Sequence, residues 1–130
     1  MKKTTVIFGS VLLALILAGL LFFVIIPNAQ YGEVRQMKIG NVDLSALSDG
    51  VYRGEYSYSS TAYEVEVSVE GHKITGIDVL RGGSNEHAKA AEGVVDSIIR
   101  AQRIDVDVIS GATTSSKAIL KAVENALKER

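Results

Sequence analysis

Hydrophobic positions fall into contrasting regimes along the 130-residue chain. From Thr4 to Ile26 they run almost unbroken, with no charged residue. A helix of that length, rising about 1.5 Å per residue, crosses the roughly 30 Å hydrocarbon core of a bilayer. From Pro27 to Asp49 polarity is mixed and no period is sustained. Pro27 suits a helix exit, because the residue before a proline is pushed towards extended geometry; a short ordered piece is expected at Met37–Leu47. From Gly50 the period becomes two. Tyr52, Gly54, Tyr56 and Tyr58 alternate with Arg53, Glu55 and Ser57, and Tyr63, Val65, Val67 and Val69 alternate with Glu64, Glu66, Ser68 and Glu70. Both runs predict strands with one buried face. Gly71 and His72 then turn the chain into Lys73–Arg81, where Ile77 and Val79 share a face with Thr75 while Ile74 and Leu80 point the other way. Gly76 stands at the change of phase and marks a candidate bulge.

Past Arg81 the period lengthens to that of a helix. Glu86–Gln102 places Ala91, Val94 or Val95, Ile98 and Ile99 on one side and Lys89, Glu92, Asp96 and Arg100 on the other. Ser116–Lys128 repeats the pattern, with Ile119, Leu120, Val123 and Leu127 inward and Lys117, Lys121, Glu124 and Lys128 outward. A three-strand meander needs one face covered, and two amphipathic helices supply the cover. The predicted fold is therefore α+β: an N-terminal transmembrane helix followed by a small antiparallel sheet covered by two helices. Residues 1–27 form the membrane anchor, 28–48 a membrane-proximal connector and 49–130 the folded domain.

Charge sets the expected orientation. Lys2 and Lys3 precede the apolar run, so the positive-inside rule puts the N-terminus in the cytoplasm and the domain outside. A cleaved signal peptide shares the basic start, but its apolar core is normally about 7–15 residues and is followed by small residues. Here the run is longer and Pro27-Asn28-Ala29 follows it. The chain has no cysteine, which excludes disulfides, thioether-linked haem and cysteine-ligated iron–sulfur clusters. Net charge is −1 and no basic stripe carries interleaved aromatics, so nucleic acid is not an expected partner. His72 and His87 lack ligand-like spacing, and no metal site is expected.

Between the two predicted helices lies Asp105-Val106-Asp107-Val108-Ile109-Ser110-Gly111-Ala112-Thr113-Thr114-Ser115-Ser116. A short apolar strand (Val106, Val108, Ile109) is expected to lead into small and hydroxylated residues at a helix start. Unpaired amides and the positive end of the helix dipole favour an anion there. Gly111 and Ala112 let a phosphate approach the main chain, and Thr113 offers a hydroxyl at the same place. Taken alone, the string reads as helix capping rather than as a site, since Ser and Thr gather at helix starts for that purpose.

The wider context points further. Asp107-Val108-Ile109-Ser110-Gly111-Ala112-Thr113 matches the Asp-x-x-Ser-Gly-Ala-Thr signature of the FMN-binding domain family, and the chain from Asp49 to Lys128 resembles that family in order and register. Asp49–Gly54 is similar to its first strand, Val65–Thr75 to its central hairpin, and Ala101–Ile109 with Ser115–Leu127 to its last third. The family includes the C subunit of the sodium-translocating NADH:quinone oxidoreductase and the G subunit of the Rnf complex. The resemblance implies that an FAD:protein FMN transferase esterifies FMN to Thr113. It also implies that Asp107 and the Ser110-Gly111-Ala112 segment form the part of the signature the transferase reads, and Ser110, Gly111, Ala112 and Thr114 are expected beside Thr113 in the cofactor-binding set. Thr114 is the neighbouring hydroxyl, one place beyond the match.

Many relatives carry Glu-Thr-Pro-Gly after the third strand; here Arg81-Gly82-Gly83-Ser84-Asn85-Glu86-His87 takes its place and is expected beside the isoalloxazine ring. The tyrosine face at Tyr52, Tyr56 and Tyr58 is read as core packing. No acid–base pair or activated nucleophile for substrate turnover is evident. The expected function is thus electron carriage between a membrane donor, such as a quinol or an Rnf-like complex, and an acceptor outside. The alternatives are a module holding FMN or another ligand non-covalently, and a structural domain without flavin.

Overall fold

The computed structural model describes residues 2–128, the side chains of 2–5 and 26–30 excepted. It contains two compact units, Met1–Glu33 and Val34–Arg130. Helix α1 runs over Lys2–Gln36. Its stretch Val6–Ile25, twenty residues with every side chain exposed, is the one helix among the described residues long and apolar enough to cross a membrane. A signal sequence meets the same criteria. The exit expected at Pro27 is not taken, and the helix continues to Gln36. Proline deletes one donor and crowds the preceding turn, a local cost after which the ladder resumes.

The second unit begins with residues the hydrophobic pattern left undefined. Val34 is 4% exposed and Leu47 1%, and between them a single 3-10 turn forms at Leu44–Ala46. Asp43 caps it, accepting from the Ser45 amide at 3.0 Å and the Ser45 hydroxyl at 2.6 Å. Lys117 Nζ donates to Met37 O at 2.9 Å, and Asn41 Oδ1 accepts from Ile104 N at 3.0 Å. These ties lay the segment against the rest of the unit. The ordered piece expected at Met37–Leu47 is present.

The sheet is the expected antiparallel meander, β1 (Gly50–Tyr58), β2 (Thr61–Glu70) and β3 (Lys73–Arg81), in that spatial order. Gly71 and His72 close the second hairpin with φ of 57° and 61°, the left-handed pair that a two-residue hairpin loop requires. On the central strand Tyr63, Val65, Val67 and Val69 are all 2% exposed or less. Burying each valine contributes roughly 1.5–3 kcal/mol. Ser68 pairs with Gly76 while Val69 pairs with Ile74, so Thr75 is the extra residue of a bulge. That bulge explains why Ile74 and Ile77, assigned by strict alternation to opposite faces, both enter the core. Thr75, expected beside Ile77, is exposed instead. A second register shift loops out Leu80. The outer edges of the sheet carry side-chain amides. Gln102 accepts from Ile74 N and donates to Ile74 O, both at 2.8 Å, while Asn125 Nδ2 donates to Glu55 O at 2.8 Å.

The single helix expected over Glu86–Gln102 is broken at Glu92 into α2 (Glu86–Ala91) and α3 (Gly93–Ala101). Glycine weakens a helix interior by roughly 1 kcal/mol, and Gly93 is where Ile109 rests: a Cβ there would lie 3.3 Å from Ile109 Cδ1. Helix α4 (Thr113–Lys128) starts three residues ahead of the expected Ser116 and packs across β1 and β2. At Gly54 the contact is backbone to backbone, since a Cβ would stand 2.3 Å from both Ala122 O and Ala126 N.

Glu124, expected to face outward, is 4% exposed. The connector passes over that side of α4 at Gly40, and Glu124 accepts hydrogen bonds from Lys121 Nζ at 3.2 Å and from Lys128 Nζ. Burial pushes its carboxyl up, but the bonds from Lys128, Lys121 and the Gly40 amide outweigh this and hold it below the ordinary 4.5. Because the folded value is depressed, Glu124 contributes stability above pH 4.5 and that contribution fades as pH falls through the lower folded value. The melting-temperature gap between wild type and Glu124→Gln is therefore expected to be wide at neutral pH and to narrow below pH 4.5; a gap independent of pH would refute the ionic clamp.

Candidate functional site

The segment leading into α4 is built around a tight turn. Residues 105–109 take up no regular secondary structure and, contrary to the expected short strand, join no sheet. Their anchorage comes from α4 itself: Ile109 N donates to Ser116 Oγ at 3.1 Å, with Ser116 fully buried. Ile109 O then accepts from Ala112 N at 2.9 Å, closing a four-residue turn. Gly111 sits at its third position with φ of 78°, a left-handed conformation that glycine adopts without a side-chain penalty. Ala112 O accepts from Ser116 N at 2.9 Å and so serves as the helix N-cap. Ala112 is 4% exposed, and its methyl group seals the turn to the core.

Thr113, Thr114 and Ser115 are the first three helical residues, and their amides have no carbonyl within the helix to meet. Four hydroxyls follow one another here, and three are engaged. Ser116 holds Ile109 N, Ser115 Oγ accepts from the buried Tyr63 hydroxyl at 3.0 Å, and Thr114 Oγ1 accepts from Arg35 Nε at 3.3 Å. Among the described residues, the half-buried Thr113 hydroxyl has no hydrogen-bond partner. It stands beside the Gly111 turn, where a Cβ on the glycine would meet nothing within 4 Å. Free amides, open space over the glycine and an unengaged hydroxyl are what a phosphoester at this position needs, and the residues present fit one.

The structure thus brings Ser110, Gly111, Ala112, Thr113 and Thr114 together in one turn and one helix start. Ser110 is exposed at the turn. Asp107 lies apart from that turn along the chain, exposed, on the wall of a groove lined also by Ser97, Arg100, Arg103 and Asp105. Arg103 grips Asp105 through two bonds, at 2.6 and 2.5 Å, and keeps its carboxyl below the usual range.

The loop after β3 is drawn towards the same place. Asn85 caps α2 by accepting from Ala88 N at 2.8 Å. A Cβ on Gly83 would lie 2.6 Å from Ala88 Cβ and 3.1 Å from the Tyr63 hydroxyl, the group that binds Ser115. Tyr63 also stacks on Tyr58, ring centroids 5.8 Å apart and planes 9° from parallel. Tyr52, Tyr56 and Tyr58 pack against the core, as read from the alternation. Pattern reading missed Tyr63 and Ser115 as a pair, because a hydroxyl–hydroxyl contact across 52 residues leaves no periodic trace. It missed Arg35 because the connector carries no period of its own.

A chain of 35% identity over 86 residues occurs in Treponema pallidum (strain Nichols), as an uncharacterized protein. The match covers 64% of this chain and 24% of that relative, so the chain spans about a quarter of the length of the protein it matches. The model of the FMN-binding domain matches residues 58–128, more than half of the chain and all of the turn and helix start described above. The chain belongs to the FMN-binding domain family.

Proposed function

We propose that this protein carries FMN covalently, as a phosphoester on Thr113, and serves as a membrane-anchored extracytoplasmic electron carrier. One observation supports the attachment above the rest: of the four successive hydroxyls that open α4, Thr113 alone is unengaged, and it is the residue at the acceptor place of the signature. In the attachment step an FAD:protein FMN transferase joins Thr113 Oγ1 to the phosphorus next to the riboflavin moiety. The pyrophosphate bond breaks, AMP departs with the electron pair, and the threonine proton is released. Asp107 and Ser110–Ala112 belong to the stretch the transferase reads. The free amides of Thr113, Thr114 and Ser115, beside the open side of Gly111, would hold the phosphodiester, and the helix dipole would favour its charge.

The flavin supplies one- and two-electron exchange by its own chemistry, while the protein supplies placement and tunes the potential. The Gly82–Gly83 loop, held near the acceptor turn through Tyr63, is our candidate neighbour of the isoalloxazine ring. Attachment by a covalent bond suits a compartment without a flavin pool. The donor is a membrane quinol or redox complex and the acceptor an external protein. Intact mass of the chain made together with the transferase tests the reading: one added FMN, retained after denaturation, is expected. Colour lost on denaturation would favour non-covalent binding, and no flavin at all a structural domain.

Orientation is tested separately. With Lys2 and Lys3 inside, the chain is expected to fractionate with membranes, and protease added outside spheroplasts should degrade the domain from Gly50 onward. Protection of the domain while a surface control is digested would place the flavin in the cytoplasm, and a soluble fragment starting near Gln30 would identify a cleaved signal.

A further inference from the structure

Arg35 stands at the last turn of α1, yet its contact is with the start of α4. Its Nε donates to Thr114 Oγ1 at 3.3 Å, beyond the 2.7–3.2 Å typical of an N–H···O bond. Among the described residues no carboxylate pairs with it. The other cation at this end of α4, Lys117, is already committed to Met37 O at 2.9 Å. An exposed guanidinium loosely held by a neutral hydroxyl, one residue from Thr113, is poised to exchange that partner for a better one. Arginine presents a planar fork of donors that matches two oxygens of a phosphate, and such charge-assisted pairs are about twice as strong as neutral ones.

We propose that Arg35 is a ligand of the cofactor phosphate: on flavinylation its guanidinium leaves Thr114 Oγ1 and binds the phosphodiester oxygens on Thr113. This rests on the attachment proposed above. It extends the cofactor site outside the signature, to a residue at the root of the apolar helix and upstream of the stretch the family model matches. The α4 amides approach the phosphate from the helix axis, and Arg35 adds a full positive charge from the side of the connector. The single negative charge of the diester is then neutralised without any residue of the signature being cationic.

The test uses the full chain in detergent micelles with the transferase and FAD, following mass gain over time and then the phosphorus NMR resonance of the product. Arg35→Gln is expected to slow FMN addition roughly tenfold, the equivalent of one lost charge-assisted bond, and to shift the phosphorus resonance. Arg35→Lys, which keeps the charge without the fork, should fall between Gln and wild type on both measures. Arg53→Gln, which removes an arginine paired instead with Glu66 at 2.8 Å, should match wild type. A mere tie between α1 and α4 would leave the phosphorus environment unaltered. Arg35→Gln protein that carries FMN with the wild-type resonance therefore overturns the proposal, whatever its rate. Wild-type chain that gains no FMN defeats the covalent attachment itself, which is a distinct result.

Discussion

Thr113→Ala is expected to abolish covalent flavin completely while the domain stays folded. The two effects separate because Thr113 is the first residue inside α4 and Ala112 is the cap. Removing the Thr113 hydroxyl breaks no hydrogen bond among the described residues. The stability change should lie within about 0.5 kcal/mol, as for surface substitutions away from special features. Thr114→Ala is the informative control, for its hydroxyl is equally close to the helix start but already accepts from Arg35. It should retain one FMN per chain. Flavin found by peptide mass spectrometry on Thr114, or on the Thr113→Ala protein, would move the acceptor and sink the assignment.

The largest expected loss of stability lies far from Thr113 in sequence. Gly54→Ala would place a methyl group 2.3 Å from Ala122 O and Ala126 N. Both are backbone atoms of a helix buried by the sheet, so no side chain can rotate away and α4 must lift as a body. Overpacking a close-packed core costs about 1–3 kcal/mol and occasionally more, and here the rigid neighbour argues for the upper end. For a domain of this size each kcal/mol lowers the melting temperature by roughly 4–8 °C, so a fall of about 10 °C or more is expected. Gly54→Val should be worse. Because α4 also carries Thr113, flavinylation should fall with folding in these variants. A melting temperature within about 2 °C of wild type in Gly54→Ala would show that α4 rides higher over β1 than described.

Legibility followed periodicity. The three strands, and the inward faces of β1 and β2, were readable because polar residues alternate with Tyr52, Gly54, Tyr56 and Tyr58 and with Tyr63, Val65, Val67 and Val69, and β2 buries just the last four. The bulge was readable at Gly76, but its effect on Ile74 was not, since one extra residue reverses every alternation beyond it. Glu124 was assigned outward by helical period alone. That period cannot know that the connector will cover a second side of α4, with lysines placed to satisfy the carboxylate. The connector itself, without period or motif, hid both Arg35 and the anchoring of Leu47. Among the hydroxyls from Ser110 to Ser116 the signature singled out Thr113 by position alone. The three-dimensional partners of the others, Arg35, Tyr63 and Ile109 N, add a physical distinction that the letters do not carry.

The two side-chain amides on the sheet edges bear on how other proteins can meet this domain. An added strand needs a run of free N–H and C=O groups, and Gln102 occupies both of those groups on Ile74. Asn125 occupies Glu55 O in the middle of β1, leaving Gly50–Gly54 and Tyr56–Tyr58 on either side. Neither piece reaches the roughly six residues of uninterrupted strand that drive cross-β stacking. On β3 the stretch beyond Ile74 is interrupted by the extra residues Thr75 and Leu80, which twist an edge away from a would-be neighbour. Crowded copies are thereby hindered from zipping into intermolecular sheets, and completing the sheet is a poor way for another protein to dock on the domain. The surfaces left open for association are the loops and helix ends.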